Sequence, residues 1–203
     1  MFVNEPFLID FLADRELLWL GINFSKARFT RKGMDFSQEI LQHYFHDWNL
    51  LIINDQKKYD IRMSFRKPVM QYDLSVVTKA NKAIRPPQIL AHRIDLKHLL
   101  TEEIIAEYVQ SLSCPTDCKY ALTLMVESFD TFSKTASIWV VVFATQSKEL
   151  VLCEKFIKKP SGFGTRNYWA RTFYDLLYDI KTTSFIRWEL LVKQPMDDVT
   201  ENH

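Results

Sequence analysis

The run Ile138-Trp139-Val140-Val141-Val142-Phe143 constrains the fold of this chain more than any other stretch. All of its residues are apolar, so it has no wet face, and a strand of that kind needs cover on both sides or a place in mid-sheet. It lies within Ala136 to Thr145, and similar runs flank it at Tyr120 to Phe129 and Glu149 to Ile157. The polar connectors between them are short enough for hairpins, which predicts a C-terminal three-strand antiparallel meander.

Cover for such a sheet must come from helices, and the spacing predicts three. From Ser37 onward Ile40, Leu41, Tyr44, Phe45, Trp48, Leu51 and Ile52 recur at helical period, and Phe36 and Leu41 bracket Ser37 as a hydrophobic staple brackets its N-cap. Thr101 reads as a second N-cap, with Glu102 and Glu103 favourably placed against the helix dipole, Ile104, Ile105, Tyr108, Val109 and Leu112 on one face, and Pro115 as the stop. A third helix follows Thr165 and carries Trp169, Phe173, Leu176, Leu177 and Ile180. It is expected to pack on the meander so that Trp139, Trp169 and Phe173 are buried together.

Earlier in the chain, Leu18, Leu20, Ile22 and Phe24 alternate with Trp19, Gly21, Asn23 and Ser25 as in a strand, and Met70, Tyr72, Leu74 and Val76 do the same beyond Pro68. The alternation of Tyr59, Ile61, Met63 and Phe65 does not by itself decide its own conformation. Pro86-Pro87 breaks the chain into halves without marking a domain boundary. With 47% apolar and 25% charged residues over 203 positions, a core large enough for one domain is available. The expectation is a single α+β domain over residues 1–203, a mainly antiparallel sheet covered by the helices at Ser37, Thr101 and Thr165.

The net charge of +1 supplies no global field toward nucleic acid or an anionic membrane, so specific nucleic-acid binding is not expected, and since no apolar run approaches the length of a membrane span, neither is membrane insertion. Locally the balance is uneven. Lys57 to Lys97 holds ten Lys or Arg against three Asp, which fits either an acidic partner or a solvated basic face. The apolar stretch Phe7 to Leu12 is interrupted by Asp10 and preceded by Glu5, unlike a signal peptide. As written the chain reads as soluble and cytoplasmic, or as periplasmic or exported if a leader has been removed. The three cysteines, Cys114, Cys118 and Cys153, make no even disulfide framework. Cys153 lies in a strand run and is expected to be buried and inert, while Cys114 and Cys118 read as thiols in a turn or as a local disulfide.

The best local candidate for chemistry is Lys158-Lys159-Pro160-Ser161-Gly162-Phe163-Gly164-Thr165-Arg166, a basic glycine loop opening onto a helix N-terminus. Free N–H groups and the helix dipole make such a place receptive to an anion, with Lys158, Gly162, Gly164, Thr165 and Arg166 as the residues concerned. It lacks the Lys-Ser/Thr ending of a P-loop and the third glycine of a dinucleotide fingerprint. In the competing reading the glycines turn the chain so that Phe163 plugs the core, and Arg166 pairs with an acid such as Asp130 or Glu154 to fasten helix to sheet. His43, His46 and Asp47 share a helical turn, yet a metal site needs a further ligand that no spacing supplies, so no metal and no cofactor is expected.

Leu20-Gly21-Ile22-Asn23-Phe24-Ser25 and Gly162-Phe163-Gly164-Thr165-Arg166-Asn167-Tyr168-Trp169-Ala170 together resemble an uncharacterised family from Bacteroidetes. Its members share a Leu-Gly-x-Asp-Phe-Ser-like strand and a Gly-Phe-Gly-x-Arg-Asn-aromatic-Trp-Ala segment. The resemblance implies no established chemistry; many relatives carry an export signal that this chain lacks. The functional expectation is a non-enzymatic binding or structural module. The alternative is an enzyme or ligand-binding protein acting on a phosphorylated or carboxylated small molecule at the Gly162 to Arg166 loop.

Overall fold

Largely apolar runs build the long strands, and one eight-stranded sheet gathers the strands in a computed structural model that describes residues 1–30, 38–91, 100–114 and 116–193. The strands are β1 (Phe2–Val3), β2 (Glu16–Asn23), β3 (Arg28–Thr30), β4 (Val69–Tyr72), β5 (Leu90–Ala91), β6 (Tyr120–Asp130), β7 (Thr135–Ala144) and β8 (Leu150–Lys158). Their main path runs β1-β8-β7-β6-β2-β4, with β3 pairing β6 and β5 beside it. The meander β6-β7-β8 is antiparallel throughout, as its short connectors require.

The rest of the sheet corrects the expectation of a mainly antiparallel one. Strand β2 runs parallel to both β4 and β6, and β3 runs parallel to both β5 and β6. The cause lies in the connections. Between β2 and β4 the chain passes through helix α2 (Gln38–Asn54) and the short α3 (Ile61–Ser64), and a helical crossover returns the chain in the same direction.

Helices α1 (Glu5–Ala13), α2, α3, α7 (Thr165–Asp179) and α8 (Phe185–Leu191) cover one face of the sheet, α7 and α8 being joined by a π-helical turn over Ile180–Ser184. On the other face α6 (Glu102–Gln110) covers a smaller cluster that includes Leu18, Leu20, Met125, Trp139, Val141 and Phe143. Helix α4 (Ser75–Lys82) packs on β2 and α2, and α5 (Pro86–Ile89) leads into β5. The apolar run of β7 is therefore covered on both sides, with Ile138, Val140 and Val142 facing one core and Trp139, Val141 and Phe143 the other.

That division overturns the expected burial of Trp139 with Trp169 and Phe173. Trp169 and Phe173 belong to the larger core, and the ring that meets both is Phe129 on β6. Trp139 occupies the opposite face, because neighbouring positions on a strand point to opposite sides. In α2 the expected stripe is found, with Leu41, Phe45, Trp48 and Ile52 all buried. The proposed staple at Phe36 and Ser37 and the stop at Pro115 lie outside the described residues. Thr101 caps α6 as expected, its hydroxyl accepting from the Ile104 N–H at 3.4 Å.

One segment left open by its alternation is helical, and another stops short of its expected strand. Ile61–Ser64 is a helical turn whose start Asp60 caps by accepting from the Met63 N–H at 3.0 Å. The strand beyond Pro68 ends at Tyr72, and α4 takes over Val76. Among the described residues no helix is long and apolar enough to cross a membrane.

Candidate functional site

Strand β4 covers β2 only from Glu16 to Trp19, which leaves the edge of β2 beyond that point needing partners. Two buried asparagines supply them. The Asn49 side chain on α2 accepts from the Ile22 N–H at 2.7 Å and donates to the Ile22 carbonyl at 3.1 Å, as a neighbouring strand would. Asn81 on α4 accepts from the Phe24 N–H at 2.8 Å and donates to the same Ile22 carbonyl at 2.9 Å.

Gly21 allows this close approach. Its φ is +106°, and a Cβ there would stand 2.5 Å from both Asn49 Oδ1 and Val77 Cγ2. The β2–β6 register shifts between Trp19 and Gly21, so Leu17 and Trp19 share a face with Ile22 and Phe24 although their positions differ in parity.

Above the two asparagines, α2 and α4 diverge around a cleft of about 260 Å³ lined by Gln42, Phe45, His46, Asn49, Leu74, Thr78, Asn81 and Lys82. Phe45 and Leu74 form apolar walls, and the polar residues stand at the floor and rim. Gln42 Nε2 donates to the Asn81 carbonyl at 2.8 Å, so its position is set by the same corner of the fold. The side-chain chemistry of the rim, with a hydroxyl on Thr78, an imidazole on His46 and an ammonium on Lys82, suits a small ligand that carries acceptor groups. Periodicity assigned the α2 stripe to the core and missed Asn49 in its last turns. A buried Asn opposite a strand edge is visible only once α2 and β2 are placed together.

The glycine loop is organised differently. Gly162 and Gly164 both have positive φ, +113° and +75°, and Gly164 stands at the N-cap of α7 ahead of Thr165. Between them Phe163 is 95% exposed, which corrects the expectation that it plugs the core. Lys158 forms an ion pair with Asp179 at the far end of α7. Arg166 Nε lies 2.9 Å from Asp47 Oδ2 on α2, an ion pair without hydrogen-bond alignment, and its carbonyl accepts from Trp48 Nε1 at 2.9 Å. The partner of Arg166 is thus Asp47, while Asp130 caps the β6–β7 turn and Glu154 holds Arg187 and Trp188 on α8.

The histidines, the cysteines and Glu127 take separate places in the fold. His43 Nε2 is 3.4 Å from Asp47, the carboxylate Arg166 already occupies, whereas His46 lines the cleft. Cys114, Cys118 and Cys153 are free thiols, and burial pushes Cys118 up to about 11 and Cys153 up to about 12. Glu127, buried where β6 bulges, accepts from the Leu100 N–H at 3.2 Å and from Trp139 Nε1 at 3.3 Å and pairs with Lys155.

The basic segment divides. Lys67 is buried and donates to the carbonyls of Phe11 and Asp14 at the end of α1, Arg66 holds both oxygens of Glu189 at 2.8 Å, and Lys82 reaches the cleft. Arg93 and Lys97 lie outside the described residues.

Fold and site together define an α+β domain with a mixed sheet and a polar cleft beside its parallel strands. No protein-family model matches the chain, and no curated protein does. Two solved structures are similar to it in part. The C-terminal domain of LpoB from Salmonella enterica is 11% identical, with a TM-score of 0.32 over 76% of this chain and 94% of that one. The hypothetical protein CT253 from Chlamydia trachomatis is 9% identical, with a TM-score of 0.34 over 88% of this chain and 98% of that one. Likeness at that level assigns the chain neither a fold family nor an activity.

Proposed function

We propose that the chain is a non-enzymatic binding module that takes a small polar ligand in the cleft between α2 and α4. The observation that carries this reading is the cleft itself: its floor is held rigid by six hydrogen bonds of Asn49, Asn81 and Gln42 to the backbone, while the rim presents Thr78, His46 and Lys82. A preformed floor lowers the ordering cost of binding. At about 260 Å³ the space lies just below the usual range for ligand pockets, which favours a ligand smaller than a nucleotide.

The alternative reading places a phosphorylated or carboxylated ligand at Gly162 to Arg166, supported by Gly164 at the N-terminus of α7 and opposed by the carboxylates already on Lys158 and Arg166. A thermal-stabilisation screen of small carboxylates, amides and phosphates on the parent, Thr78→Trp and Arg166→Ala separates the two. The cleft reading expects a hit that Thr78→Trp abolishes and Arg166→Ala retains. The opposite pattern assigns the ligand to the glycine loop and overturns the proposal, as does a screen without hits.

A further inference from the structure

The hairpin turn between β6 and β7 and the loop between β8 and α7 emerge at the same end of the sheet. Asp130 pairs with Thr135 to close the hairpin, Ala136 pairs with Lys158 at the last residue of β8, and Phe129 stacks on Trp169 in the early turns of α7. Each connection displays a phenylalanine: Phe132 is 56% exposed and Phe163 is 95% exposed.

The backbone holds both residues outward. Asp130 accepts from the Phe132 N–H at 2.9 Å and from the Ser133 hydroxyl at 2.6 Å, and Lys134 closes the turn at φ +55°. Phe163 stands between two glycines of positive φ. A Cβ at Gly164 would meet nothing within 4 Å, and one at Gly162 would meet only backbone atoms at 3.7 Å and beyond. Close packing therefore does not require these glycines. They supply the left-handed backbone that points Phe163 into solvent.

The two connections themselves carry charge of one sign. The segments 131–135 and 158–164 contain Lys134, Lys158 and Lys159 and no Asp or Glu. Lys158 is occupied by Asp179, whereas Lys134 and Lys159 are exposed and pair with no carboxylate among the described residues. Asp130, the nearest acid in sequence, is turned inward onto Thr30 and its own hairpin.

We propose that this end of the sheet docks on an anionic lipid surface, with Phe132 and Phe163 entering the interfacial region and Lys134 and Lys159 meeting the headgroups. It shares no residue with the α2–α4 cleft and does not rest on the function proposed for it. Area decides between a bilayer and a protein. Two phenylalanines, one of them partly covered by its own turn, offer at most roughly 150–250 Å² each, well short of the roughly 800 Å² per partner that a stable protein interface buries. A bilayer accepts separate aromatic anchors at its interface and adds attraction for flanking lysines. Two rings with two lysines give reversible, salt-sensitive docking and not insertion.

Flotation of the full chain with vesicles tests this. The parent is expected to float with phosphatidylcholine vesicles containing about 30% phosphatidylglycerol and to bind pure phosphatidylcholine at least about tenfold more weakly, since each lysine near an anionic surface contributes about fivefold. The double variant Phe132→Ser/Phe163→Ser is expected to bind at least about tenfold more weakly than the parent. Its melting temperature should be unchanged, because neither ring is buried in the fold. Lys134→Glu/Lys159→Glu should lose the preference for anionic vesicles. A parent that ignores anionic vesicles overturns the proposal, and so does a Phe132→Ser/Phe163→Ser variant that binds them equally well. Self-association of the parent that these serine substitutions abolish, without vesicle binding, would assign the surface to a second copy of the chain and likewise overturn it.

Discussion

The ring of Phe129 lies against that of Trp169 with centroids 4.4 Å apart and planes 3° from parallel, and on its other side Phe29 stacks at 4.8 Å and 13°. This stack joins β3, β6 and α7, and Trp48 of α2 meets Phe129 edge-on at 5.5 Å. The larger core is thus closed by rings from four elements at the end where Arg166 is held.

The stack should be among the costliest places to cut. Phe129→Ala or Trp169→Ala is expected to lose about 3–5 kcal/mol of unfolding free energy, as for other buried large aromatics. A double-mutant cycle should show coupling of about 0.5–1.5 kcal/mol between them. Trp139 paired with Trp169 in the same cycle should show none, because the two lie on opposite faces of the sheet. Urea denaturation of the variants measures both.

Glycines of positive φ should differ according to what surrounds them. Gly21→Ala combines backbone strain with a clash against Asn49 and Val77, for an expected loss of roughly 2–5 kcal/mol. Gly164→Ala carries only the strain, roughly 1–2 kcal/mol, since its Cβ would enter open space. Equal losses in thermal melts would show that α2 and α4 do not press on Gly21.

Lys67 gives the fold a pH dependence of definite sign. Burial pulls its ammonium down from 10.5 to about 8, against the opposing pull of Asp14 and Asp10. Below pH 8 the lysine is charged in both folded and unfolded chains, and the folded state bears the desolvation cost. As pH rises from 8 toward 10.5 the folded chain sheds its proton first, the cost is lifted, and this group's contribution to stability increases. Burial raises Cys118, Cys153 and Tyr120, which act in the opposite direction, so the comparison is with Lys67→Met at each pH. From about pH 7.5 to about pH 9.5 the parent should gain on the order of 1 kcal/mol relative to that variant. A difference that stays flat in urea titrations would count against a charged Lys67 in the interior.

Arg166 should contribute modestly to stability. Its ion pair with Asp47 is part-exposed, so Arg166→Ala is expected to lose at most about 1 kcal/mol without any anion present, as exposed pairs do. Added sulfate should shift the melting temperature of the parent and the variant equally. A sulfate response confined to the parent would favour the anion reading of the glycine loop.

The main strands and helices were legible in the sequence, because the two-fold period of β2, the unbroken apolar run of β7 and the 3.6-fold stripes of α2, α6 and α7 follow from local backbone geometry, whereas α1, α3, α4 and α8 were not. The meander was legible too, since short connectors between strands leave only hairpins. Pairing direction was not, because the mixed sheet depends on the helical crossover from β2 to β4 and on strands distant in the chain. Facing was misread in β2, where a bulge intervenes, and β6 carries a second bulge. An extra residue near Gly21 carries the buried positions from Leu17 and Trp19 to Ile22 and Phe24, and another near Glu127 carries them from Val126 to Phe129. The glycine loop was visible as glycine, lysine and phenylalanine, but sequence could not tell a ring that plugs the core from one that is displayed. Tertiary structure alone set that outcome, by filling the core with Phe129, Trp169 and Phe173 and leaving Phe163 on left-handed glycines outside it.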